Sequence, residues 1–152
     1  MFGATARSEA QMRTVVVFMA LIAAGVGSAV ACDLRVEAAW IREPPPRAST
    51  LAGFATLVNG GSKPVRIVAA ESRAAGMVML HESMMHGDMA MMRDSPELLV
   101  PAGGKVELAP GGKHLMLMGM KVAVKPGDHV TITLIDDDGC RIAGDFTVRG
   151  LQ

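Results

Sequence analysis

From residue 35 onward the chain alternates apolar and polar positions in short runs. Gly, Pro, Asn and Asp interrupt these runs every few residues, which is the period and punctuation of strands lying between a core and solvent. Residues 35–42 (RVEAAWIR), 51–59 (LAGFATLVN) and 64–71 predict the first three strands. Pro44-Pro45-Pro46 cannot donate to a ladder and must form an edge or an extended connection. Asn59-Gly60-Gly61-Ser62 reads as a hairpin turn. In residues 77–82 (MVMLHE), Val78 and Leu80 take one face and Met77, Met79 and His81 the other. Residues 83–92 (SMMHGDMAMM), centred on Gly87-Asp88, read as a hairpin or loop. Strands at 98–100 and 105–108 flank Pro101-Ala102-Gly103-Gly104, another at 113–120 follows Pro110-Gly111-Gly112, and 129–135 with 141–148 predict a closing hairpin. No helical period persists beyond the first 31 residues and no repeat is visible. The pattern predicts one all-β domain, a sandwich or barrel.

Residues 1–31 carry a different pattern. Arg13 supplies a positive start, residues 15–25 (VVVFMALIAAG) an apolar stretch, and Ala29-Val30-Ala31 a small-residue cleavage site. This predicts a signal peptide over 1–31, with Met12 as an alternative start, and a mature domain over 32–152. The competing reading, an uncleaved anchor, has to use residues 14–31, short for a span of about 20 residues. Leaving out Arg7, Arg13 and Glu9, the mature part has 13 basic against 14 acidic residues. Such a balance offers no field for nucleic acid and no polybasic membrane signal. Cys32 and Cys140 are the two cysteines. In an exported chain they suggest a disulfide. Cys32 also follows the cleavage site directly, so a lipid anchor there is the alternative, although Ala29 stands where lipoproteins usually have Leu.

Chemistry enters with methionine. Ten of the 13 Met lie between Met77 and Met120, and none lies in 36–54 or 122–151. Met used as core filler would be scattered more evenly, though a metal-free Met packing or docking patch is the bland alternative. His81, Met92, His114 and Met116 follow the spacing His, ten residues, Met, twenty-one residues, His, one residue, Met. Thioether and imidazole suit Cu(I), and no carboxylate in the set favours a hard cation. Met ligands, unlike a Cys, are not lost to disulfides in an oxidising compartment. On a strand over 113–120 (KHLMLMGM), His114, Met116 and Met118 share one face and Leu115 and Leu117 the other. The leucines can then anchor in a core while His114 and Met116 aim together. His86 either adds a second, weaker copper site with its Met neighbours, open to Cu(II) as well, or is a solvated loop residue, the simpler reading. His129 reads as a surface residue.

These four residues and their surroundings resemble the PCuAC family of periplasmic copper chaperones. Its His-x10-Met-x21-His-x-Met signature is met without a gap, and Ala39-Trp40-Ile41-Arg42, Ala52-Gly53-Phe54 and Val100-Pro101-Ala102-Gly103-Gly104 agree with it. The resemblance covers most of residues 36–148. It implies a cupredoxin-like Greek-key β-sandwich or barrel holding Cu(I) near its surface through His81, Met92, His114 and Met116. It also implies delivery toward the CuA site of cytochrome c oxidase, through oxidase subunit II or a Sco-type protein, by a periplasmic monomer. Some members carry a His/Met-rich C-terminal tail that this sequence lacks.

Other classes fit less well. A blue-copper electron carrier needs a Cys beside its ligands, and no Cys lies near His114. No nucleophile–base arrangement, nucleotide-binding glycine loop or carboxylate cluster points to an enzyme. A periplasmic copper buffer or resistance protein would use the same ligands as a chaperone. A metal-free interaction module would make the four-residue spacing a coincidence.

Overall fold

The computed structural model describes residues 32–150, and the signal-peptide expectation lies outside them. Ten strands follow in chain order: β1 (Leu34–Arg42), β2 (Thr50–Asn59), β3 (Val65–Glu71), β4 (Ala75–His86), β5 (Met89–Asp94), β6 (Leu98–Val100), β7 (Lys105–Leu108), β8 (Lys113–Met120), β9 (His129–Asp136) and β10 (Arg141–Arg149). No helix occurs among the described residues. Period-two patterning accounts for the elements. In β9, Val130, Ile132 and Leu134 are buried while their neighbours face outward, and in β10 Ile142, Phe146 and Val148 do the same. Gly144 completes that inward row because a Cβ there would come within 2.8 Å of both the Phe146 ring and Val36.

Strands β4, β8, β2, β1, β10, β9 and β3 lie side by side, and β3 pairs back onto β4, which closes a seven-stranded barrel. β1 and β10 are parallel, whereas every other pair is antiparallel. Closure is uneven. β4 pairs with β8 from Ala75 to Glu82, but with β3 only at Ala70↔Val78. Beneath that seam lies a cavity of about 460 Å3 lined by residues including Ile67, Val78, Leu80, Leu98 and Leu115.

The all-β barrel and the closing β9–β10 hairpin agree with the sequence pattern. One local expectation is corrected and one open alternative is resolved. Asn59-Gly60-Gly61-Ser62 makes no hairpin, because β2 and β3 are not paired and the chain crosses between separate parts of the barrel. The buried Asn59 side chain fixes this corner: its amide donates to the Lys63 and Val100 carbonyls, and its Oδ1 accepts from Gly61 N–H. Residues 83–92 form the hairpin, the first of the two alternatives read from the sequence. β4 runs through His86, β5 begins at Met89, and only Gly87-Asp88 turns between them.

Cys32 and Cys140 are disulfide-bonded, with Cα atoms 6.1 Å apart. The bridge ties the chain preceding β1 to the start of β10. It holds the sulfur that a lipid anchor at Cys32 would require, so the two fates of that residue exclude each other.

Candidate metal centre

β8 is central in the sheet, paired with β2 on one side and β4 on the other. Its leucines, Leu115 and Leu117, are buried in the core. The opposite face presents His114, Met116 and Met118, so core packing fixes the direction of the donors.

The register then builds one row across five strands. His114 pairs directly with His81 of β4, and His81 pairs with Asp94 of β5. On the other side Phe54 lies beside His114, with ring centroids 6.3 Å apart, and Trp40 packs on Phe54 at 4.6 Å. Trp40 reaches this position through a bulge in β1, where Ala38 takes a positive φ of 49° and the register slips between Glu37 and Trp40. The aromatic wall excludes water from one side of His114, which is 4% exposed.

The two imidazoles have centroids 6.0 Å apart and planes inclined at 66°. With a metal–nitrogen bond of about 2 Å, as for zinc, two rings sharing an ion have centroids roughly 5–6.5 Å apart. His114 Nδ1 lies 3.0 Å from the Gly112 carbonyl, which can only accept, so Nδ1 carries the proton and the Nε2 lone pair is left available. At His81 the Asp94 carboxylate is 3.2 Å from Nε2 but poorly directed, and both buried ring nitrogens lack a hydrogen-bond partner. An unsatisfied buried polar atom costs about 1–3 kcal/mol. A soft cation between the rings would relieve that cost, so the donor set fits one.

The thioethers flank this row. Met116 sits one step along β8, opposite Met79 of β4 and Ala52 of β2, and is half-buried. Met92 sits one step toward the hairpin tip, opposite Ser83 and therefore on the face of His81, but is 64% exposed. The structure thus brings His81, His114 and Met116 together on the barrel wall and leaves Met92 in solvent above them. Same-face steps are roughly 7 Å, within reach of a flexible Met side chain. Sequence reasoning did not find Asp94, whose position depends on the β4–β5 register. Met79 was placed on the His81 face but not opposite Met116.

Glu82, on the other face of β4, accepts a 2.9 Å hydrogen bond from Lys113 of β8 and pairs with Arg93 of β5 at 3.5 Å. The Lys113 hydrogen bond and charge, with Arg93 beside them, hold the Glu82 carboxyl below the usual carboxylate range. This clamp sets the root of the hairpin against β8. None of the ten Met is fully buried, and Met120 alone among them packs partly against the core, which argues against Met as core filler. His129 is exposed and pairs with Asp145 at 2.8 Å, as expected of a surface residue.

A family model described as "Putative lipoprotein LpqE-like" matches residues 34–148. The chain is similar to "Putative lipoprotein Lxx21020" of Leifsonia xyli subsp. xyli, 34% identical over 107 residues, 70% of this chain and 63% of that protein. It is also similar to "Uncharacterized protein RP573" of Rickettsia prowazekii, 29% identical over 93 residues, 60% of this chain and 51% of that protein. It therefore spans less than two thirds of either relative in the matched region. Among solved structures, Cu(I)-bound DR1885 of Deinococcus radiodurans is 35% identical, with a TM-score of 0.60 over 75% of this chain and 78% of that one. The apo PCuAC domain of PmoF1 is 24% identical, with a TM-score of 0.67 over 78% of this chain and 95% of that one, a likeness of fold.

Proposed function

The chain belongs to the LpqE-like family, of PCuAC type and cupredoxin-like fold, and from that premise we propose that it carries Cu(I) as cargo between His81, Met92, His114 and Met116. The observation that supports this most is the pair of facing imidazoles. His114 has its proton fixed on Nδ1, and His81 has neither nitrogen hydrogen-bonded. Met116 adds a thioether from a rigid strand, and Met92 adds another from the exposed hairpin, so the ion is held at the surface where a recipient can reach it. Neutral thioethers bind soft Cu(I) and give little to Zn(II). Carriage needs no chemical step, and the proposal includes no catalysis.

The Cys32–Cys140 bridge supports an oxidising, exported setting. The family resemblance supports the periplasm and delivery toward the CuA site of cytochrome c oxidase, through subunit II or a Sco-type protein. The test is an anaerobic competition titration with a Cu(I) chelator. One tightly held Cu(I) is expected, with Zn(II) far weaker. The Cys32→Ser/Cys140→Ser variant should keep the tight site. Comparable Zn(II) affinity, or loss of Cu(I) binding in the folded double variant, would sink the proposal. Delivery is read separately, as Cu(I) transfer to a purified apo subunit II or Sco-type domain.

A further inference from the structure

The β4–β5 hairpin has a second face. Residues 81, 83 and 85 of β4 share one side with Asp94, Met92 and Ala90, whereas 82, 84 and 86 share the other with Arg93, Met91 and Met89. Beyond the Glu82–Arg93 pair, this second side carries two consecutive cross-strand pairs, Met84↔Met91 and His86↔Met89. All four residues are exposed, and none packs against the core. From this juxtaposition we propose a second Cu(I) site, built from Met84, His86, Met89 and Met91.

Directly opposed residues have Cβ atoms about 4.5–5.5 Å apart, and the neighbouring same-face pair is roughly 7 Å away. Three flexible thioethers and one imidazole can therefore reach a common point over the ribbon without moving the backbone. Their chemistry selects a soft monovalent cation, as at the first site. A patch meant only to be solvated has no need of three large apolar side chains, 45%, 55% and 67% exposed, beside its turn. No buried group pre-positions these donors and two of them lie next to the turn, so the ion is held more weakly than between His81 and His114. Met91 and Met92 are adjacent in sequence and point to opposite faces, which puts the two sites on either side of one ribbon. The proposal does not depend on the first site.

The experiment is an anaerobic Cu(I) titration of the purified protein against chelators of graded strength. Ag(I) then serves as a redox-inert probe in NMR of the methionine methyl groups. The protein is expected to take two equivalents, one resistant to a strong chelator and one lost to it. Met84→Leu/Met89→Leu/Met91→Leu should remove only the weak equivalent, and Met116→Leu only the tight one. The second equivalent of Ag(I) should move the methyl signals of Met84, Met89 and Met91. A single equivalent in the unaltered protein, resistant to the strong chelator, overturns the site. So does a weak equivalent that survives the triple variant, or one that moves the methyls of Met77, Met79 or Met118 instead. Failure of the tight equivalent alone would count against the first site and not this one.

Discussion

Strand β8 and the β4–β5 hairpin bring soft donors to the same place under opposite physical conditions. β8 is paired on both sides and buries Leu115 and Leu117, so His114 and Met116 are aimed before any ligand arrives. β5 pairs with β4 alone and all six of its residues are exposed, so Met92 has to be ordered when it binds. Ordering a long side chain costs up to about 2 kcal/mol in rotamer entropy. A carrier must hold its ion and also release it. Under the proposed function, holding falls to β8 and release to the hairpin.

Substitutions along this gradient should differ in size. His114→Ala removes a prearranged imidazole and one of the two donors on the Gly112 carbonyl, which keeps the Ser83 N–H at 3.1 Å. Cu(I) affinity should fall at least about 100-fold, roughly 2.7 kcal/mol, and chemical denaturation should show a stability loss of about 0.5–1.5 kcal/mol for the lost hydrogen bond. Met116→Ala should weaken Cu(I) by at least about tenfold, roughly 1.4 kcal/mol, with thermal unfolding little changed. Unchanged Cu(I) affinity in that variant would remove Met116 from the site. Met92→Ala should cost less than about 1.4 kcal/mol and act mainly on release, read as faster loss of Cu(I) to a chelator in stopped flow. Were Met92→Ala as costly as His114→Ala, the division between the two regions would collapse.

The smallest effect concerns pH. An imidazole must be unprotonated to hold a metal, while thioether does not titrate. Cu(I) binding should weaken as pH falls without vanishing, because the thioethers take no proton. Glu82 adds a separate change at lower pH. Its folded pKa is depressed by Lys113, so the clamp contributes stability above the ordinary carboxylate pKa and loses it as pH falls through the depressed value. Amide exchange in β5 should rise over that lower range, and Glu82→Gln should abolish the rise.

How far the sequence could be read follows the same gradient. β8 was legible to the residue, because Leu115 and Leu117 alternate with residues of another kind. β6 and β7 were bounded correctly by their glycine and proline turns. For β5 and the end of β4 the sequence leaves hairpin and loop open, since Met on both faces of a ribbon erases the contrast on which period two depends. The Asn59 corner misled for a different reason. Its turn chemistry is that of a hairpin, and only its contact with Val100, forty-one residues on, marks it as a crossing. The candidate donors could be read from spacing. Asp94 beside His81 and the aromatic wall of Trp40 and Phe54 depend on a bulge and a register that no local pattern encodes.

The single β3–β4 pair at Ala70↔Val78 has a mechanical consequence for the donor strand. β4 hangs from β8 along most of its inner length and is barely held at its other edge. A pull on the hairpin tip by a docking protein would therefore peel β4 from β3 before it disturbed β8. The tear would open toward the cavity under the seam, which Leu80 lines. Because His81 follows Leu80 directly, traction at the tip would draw one imidazole away from the other while His114 stayed fixed in the wall.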